Sequence, residues 1–198
     1  QLPTGAETAA DTAANADFAY LTAMATDLND MVCIDRTRQY ASGMSLGSAL
    51  TLVLACAPNR TFAAFGGVGA AFYSPACDNA PPAPLIYFHG TADAVVPIAG
   101  GLAPLGQTVA AIPDSMSAWA AHNDCTAVTQ SSIGTDVTLT AWTACANDAD
   151  VDFYAVTGGG HTWPGSDPGV AAYVADRLGY TTQSVDASEL MWEFFSRY

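Results

Sequence analysis

Three short segments carry the residue types of nucleophilic catalysis, in the order serine, aspartate, histidine: Gly43-Met44-Ser45-Leu46-Gly47, His89-Gly90-Thr91-Ala92-Asp93 and Gly160-His161-Thr162-Trp163-Pro164. A serine hydroxyl is a poor nucleophile until a histidine takes its proton and an acid fixes that histidine's tautomer. The first segment fits the pattern G-x-S-x-G, in which the serine sits on a sharp strand-to-helix turn. The expected roles are Ser45 as nucleophile, His161 as general base and then acid, and Asp93 as the group that orients His161. The backbone N–H of Leu46, next to the nucleophile, is the expected first oxyanion donor. Chemistry of this kind acts on an ester, small or polymeric, and requires no cofactor.

The other candidates divide into helpers and bystanders. His89 stands where it would shape the Asp93 loop rather than act as base. His122, on a predicted helix, reads as polar surface. Met44 and Trp163 flank the nucleophile and the base, and either lines an apolar cleft for an acyl group or packs into the core, as tryptophan commonly does.

These side chains need elements to hold them. Phe18, Leu21, Leu28 and Val32 recur at helical spacing and predict an amphipathic helix from Ala16 to Val32. Gln39 to Ser42 reads as a short strand feeding the serine turn, and Leu46 to Ala55 as the buried helix leaving it. Phe62–Val68 and Pro84–Phe88 are apolar runs bounded by Gly and Pro, as buried parallel strands are. Pro113–His122 predicts a helix with proline in its first turn. Val137–Trp142 and Asp152–Val156 alternate like strands. Asp186 and Glu189 have capping-box spacing, ahead of a last helix with Leu190, Met191, Phe194 and Phe195 on its apolar face. Alternating strands and helices imply a mostly parallel α/β sheet with flanking helices. Residues 1–12 read as a surface lead-in, and the 198 residues as one domain without internal repeat or linker.

Composition narrows the partners. Nineteen acidic residues stand against five arginines and no lysine, a net charge of −14. Such a surface repels phosphate backbones and argues against nucleic acid. No apolar run reaches the ~18 residues of a membrane span. Five cysteines, Cys33, Cys56, Cys77, Cys125 and Cys145, suit an exported protein better than a reducing cytosol. None has C-x-x-C spacing and there are only three histidines, which argues against structural zinc. Asn59-Arg60-Thr61 is an N-glycosylation sequon. Nothing in the sequence sets an oligomeric state.

With Ser, Asp and His in α/β-hydrolase order, the chain resembles the extracellular polyhydroxybutyrate depolymerase and feruloyl esterase group of that fold. The matching stretches are Cys33–Arg36, Tyr40–Gly47, Phe88–Pro97 (FHGTADAVVP), Gly158–Gly165 (GGGHTWPG) and Asp186–Phe195. The resemblance implies Ser45, Asp93 and His161 as the triad, and suggests Cys125–Cys145 and Cys56–Cys77 bridges with Cys33 unpaired. It also implies a second oxyanion donor on a loop after an earlier strand, typically one carrying His-Gly. None of the 44 residues before Ser45 contains such a loop, so an N-terminally shortened hydrolase is expected. The leading expectation is a secreted serine ester hydrolase acting on polyesters of the polyhydroxybutyrate or aromatic kind. The alternatives are a feruloyl or acetylxylan esterase acting on plant polysaccharide, and a hydrolase fold that is an inactive fragment or serves only for binding.

Overall fold

Leu85, Ile86, Tyr87 and Phe88 are all buried, and successive side chains of this strand enter two different cores. That is the signature of a strand covered on both faces. The computed structural model describes residues 16–70, 77, 80–103, 106 and 108–198; the lead-in expected over residues 1–12 lies outside them.

Among the described residues eight strands and five α-helices follow in chain order. Helix α1 (Ala16–Met31) leads to β1 (Tyr40–Met44), α2 (Leu46–Ala55), β2 (Ala64–Val68) and β3 (Leu85–Gly90). A two-residue pair, β4 (Gly101–Leu102) and β5 (Thr108–Val109), precedes α3 (Ile112–His122). Then come β6 (Ala127–Ile133), β7 (Val137–Thr143), β8 (Val151–Val156), α4 (Pro168–Leu178) and α5 (Ala187–Phe195). The main sheet has the order β1-β2-β3-β8-β7-β6. Its first four strands are parallel, and β7 and β6 run antiparallel beyond β8. The expected α/β class is the one observed, with an antiparallel hairpin added at one side.

Helices α2 and α3 cover one face through Leu52, Leu54, Ile112, Met116 and Trp119, which pack with Phe65, Leu85, Tyr87, Val151 and Phe153. Helix α5 covers the other, setting Met191, Phe194 and Phe195 against Val68, Ile86, Phe88 and Tyr154. Burying each such side chain is worth about 1.5–3 kcal/mol. At the start of α5 the Asp186 carboxylate accepts from the N–H groups of Ser188 and Glu189, the Asp186 half of the expected capping box.

Two expectations need correction. Helix α1 turns Phe18, Leu21 and Ala25 toward the body, whereas Leu28 and Val32 are 43% and 56% exposed. Leu28 lies in the last turn of α1 and Val32 past its end, beyond the part of the helix where Phe18, Leu21 and Ala25 face the body. His122 is half-buried, not surface, and its Nε2 is a buried atom without a hydrogen-bond partner. The sequon residue Asn59 is exposed in the turn after α2.

Candidate active site

The parallel strands deliver the three chemical groups from their carboxyl ends, where α/β sites collect. Ser45 sits between β1 and α2 with φ 54° and ψ −118°, an unfavourable conformation for a residue with a Cβ. Its N–H donates to the Val68 carbonyl at 2.9 Å, which ties the turn to the end of β2. Helix α2 starts immediately, so the N–H groups of its first turn, Leu46 included, have no acceptor within the helix. The two motif glycines differ. A Cβ on Gly43 would lie 2.4 Å from the Gly47 carbonyl carbon, whereas one on Gly47 would meet nothing within 4 Å.

Asp93 follows β3 in a loop its own side chain organises. Oδ1 accepts from the N–H groups of Val95 and Val96, both at 2.8 Å. Oδ2 is left for His161, whose Nδ1 lies 2.8 Å away. Because a carboxylate only accepts, Nδ1 carries the proton and Nε2 is the acceptor. Nε2 lies 3.0 Å from Ser45 Oγ. The serine proton thus has an acceptor in place, and the imidazolium formed by taking it has a buried counter-charge. Burial pushes the Asp93 carboxyl up, but the hydrogen bonds from His161 and from the Val96 N–H outweigh it and hold Asp93 below the ordinary carboxylate value.

His89 plays the supporting part expected of it. It is 1% exposed, and its Nε2 donates to the Val96 carbonyl at 2.8 Å, closing the Asp93 loop from inside. Burial drives its pKa down, so it stands neutral. Tyr87 lies beneath, its hydroxyl 3.5 Å from His89 Nδ1 and accepting from the Ala70 N–H at 2.7 Å.

The His161 loop is gripped largely through main-chain hydrogen bonds from its neighbours. Thr91 N–H donates to the Val156 carbonyl and Ala92 N–H to the Gly159 carbonyl, each at 2.8 Å. From the other side, Gly160 N–H donates to Tyr180 O at 2.9 Å and His161 N–H to Leu178 O at 2.7 Å. A Cβ on Gly90 would come within 2.2 Å of Gly159 O, so the Asp93 and His161 loops approach this closely only because Gly90 has none.

Met44 and Trp163 are half-buried and rest on the α5 core, and Trp163 Nε1 donates to Ser188 Oγ at 3.1 Å. Leu46, by contrast, is 54% exposed beside the serine. The sequence reading missed Gly69, whose Cα carries no Cβ where one would lie 3.2 Å from His161 Nδ1. It missed the 178–182 segment too; main-chain hydrogen bonds leave no side-chain signal. Among the described residues no group of three or more His, Cys, Asp or Glu side chains is placed to hold a metal ion. Cys56 is bridged to Cys77 and Cys125 to Cys145, leaving Cys33 exposed and unpaired, as the resemblance implied.

No family model matches the chain. Feruloyl esterase C of Emericella nidulans is 31% identical over 87 residues, which are 43% of this chain and 32% of that protein. A probable feruloyl esterase C of Aspergillus flavus is 30% identical over 86 residues, with the same shares. Feruloyl esterase B of Piromyces equi is 28% identical over 145 residues, 68% of this chain and 27% of that one. The chain therefore spans a third or less of the curated relatives it matches. Among solved structures, an acetyl xylan esterase from Aspergillus awamori shares the fold, with a TM-score of 0.50 and 18% identity over 73% of this chain and 61% of that one. These relatives are named for feruloyl and acetylxylan esters.

Proposed function

We propose that this chain is a serine carboxylic ester hydrolase of the feruloyl or acetylxylan esterase kind, working through an acyl-enzyme. The observation that carries the reading is the hydrogen-bonded run from Ser45 Oγ through His161 to Asp93, at 3.0 and 2.8 Å. Ser45 Oγ attacks the ester carbonyl carbon as His161 Nε2 takes its proton, and Asp93 stabilises the resulting imidazolium. The tetrahedral oxyanion faces the first-turn N–H of Leu46. His161 then returns the proton to the departing alcohol oxygen as the carbon–oxygen bond breaks, leaving acyl-Ser45. A water, deprotonated by the same Nε2, attacks the acyl carbon; the acid leaves and Ser45 recovers its proton. The names of the relatives and of the structural neighbour support an ester of a plant polysaccharide as substrate. Two disulfides suit an oxidising compartment, and we read the chain as exported. Among the described residues no helix is long and apolar enough to cross a membrane.

The test compares hydrolysis of methyl ferulate, acetylxylan and a polyhydroxybutyrate film by the 198-residue chain and its Ser45→Ala and His161→Ala forms. Turnover of the first two substrates, lost in both variants, is expected. Turnover of the film alone would restore the polyester reading, and a folded parent inactive on all three would leave a fragment or a binding module.

A further inference from the structure

The base of this site is held by a segment that has no chemistry of its own, and that segment is in turn held by a single carboxylate. Residues 178–182 accept from the N–H groups of Gly160, His161 and Gly165, through the carbonyls of Tyr180, Leu178 and Thr182 at 2.9, 2.7 and 3.0 Å. Thr162 Oγ1 adds a bond to Tyr180 O at 3.1 Å, and Gly159 pairs with Tyr180 as an isolated parallel bridge. The same stretch is fastened on its far side to the turn between β6 and β7. Asp136 Oδ2 accepts from Tyr180 Oη at 2.9 Å and Oδ1 from Ser184 Oγ at 2.6 Å. The main-chain carbonyl of Asp136 accepts from Thr157 N–H at 2.7 Å, at the point where β8 gives way to the glycines before His161. One residue thus contacts both the start of the His161 loop and the strap that closes over it.

We propose that Asp136 is a positioning residue for His161, acting through Tyr180 and Ser184 to fix the strap against which the imidazole's backbone is hydrogen-bonded. Its carboxylate suits the task because two acceptor oxygens clasp two hydroxyls four residues apart, one on each side of the Thr182 carbonyl that receives Gly165. The hydroxyl bonds hold Asp136 below its ordinary pKa, the one from Ser184 most, so it stays a pure acceptor over the neutral range. Neither Asp136 nor Tyr180 is among the groups that react.

This inference rests on the hydrolase reading, and its test keeps the two apart. Expected results are a roughly tenfold fall in kcat for Asp136→Ala with KM within about twofold, the size of loss that a small displacement of a catalytic group produces. Tyr180→Phe combined with Ser184→Ala should reproduce that fall, and Asp136→Asn, which keeps one acceptor oxygen, should recover part of it. An unchanged kcat in Asp136→Ala beside an active parent overturns the assignment. So does a loss that vanishes when the variants are assayed well below their unfolding temperatures. A parent without esterase activity sinks the hydrolase reading alone; the downfield proton NMR signal of His161 Nδ1–H then decides. Its broadening or loss in Asp136→Ala upholds the positioning role, and an unaltered signal overturns it. Should Asp136→Ala fail to fold, Tyr180→Phe, which removes one hydroxyl, carries the same comparison.

Discussion

His89 and His161 meet at one oxygen: Asp93 Oδ2 lies 3.7 Å from His89 Nε2 and 2.8 Å from His161 Nδ1. Only His161 is bonded to it. His89 spends its single N–H on Val96 O and stays neutral, so the buried negative charge of Asp93 is directed at the imidazole that must become positive.

Acid should destabilise the fold earlier than carboxylate titration alone would. A group harder to protonate in the fold than in the unfolded chain contributes fully above its unfolded pKa and loses that contribution as pH falls toward its folded value. For His89 the loss begins near pH 6.5, and for Asp93 below about 3.9. Thermal unfolding followed from about neutral pH downward should therefore show a shallower decline in His89→Gln than in the parent. Equal slopes would exclude the buried neutral histidine as the source.

The two motif glycines should part company. Gly43→Ala drives a methyl into the Gly47 backbone and should displace the serine turn, with large losses of both stability and activity. Gly47→Ala has open space and sits in the first turn of α2, so it should raise stability by up to about 1 kcal/mol through helix propensity. Paired denaturation curves decide this, and comparable damage in both would refute it.

Asn123 is a buried staple. Fully enclosed after α3, it accepts from Ala83 N–H at 3.0 Å and donates to the carbonyls of Ala83 and Ala149 at 2.9 and 2.7 Å. Asn123→Ala leaves the Ala83 N–H and the Ala149 carbonyl unpaired at the entrances to β3 and β8, while the Ala83 carbonyl keeps the Trp119 indole N–H at 2.9 Å. The expected cost is about 3 kcal/mol, read from the urea midpoint. A change near zero would mean water or a shifted backbone replaces the bonds.

Titration of the denatured, unreduced chain should find one thiol, Cys33, and five after reduction. The bridges span separations of 21 and 20 residues, and removing either should cost about 3 kcal/mol in the chain-entropy model.

The doubly covered strands were legible because burial on both faces leaves continuous apolar runs, as in Leu85–Phe88. The serine turn was legible because its glycine and its serine answer to local sterics. Strand β6 was not: Ala127–Ile133 is an exposed edge strand with no hydrophobic alternation to mark it. Helix α4 was not read either: it buries no residue and so has no core-facing run to mark it, although the Asp167-Pro168 pair does mark its start. The triad could be read because each member is a distinctive side chain. The Tyr180 strap could not, since it holds His161 through carbonyls that every residue possesses.

Cys33 has a practical consequence. The chain contains no lysine, so coupling through side-chain amines is closed to it. Its one unpaired thiol lies exposed ahead of the amino end of β1, while Ser45 follows the opposite end of that strand. A maleimide-coated support would therefore take hold of every molecule at the same point and in the same orientation, leaving the serine turn's own residues unmodified.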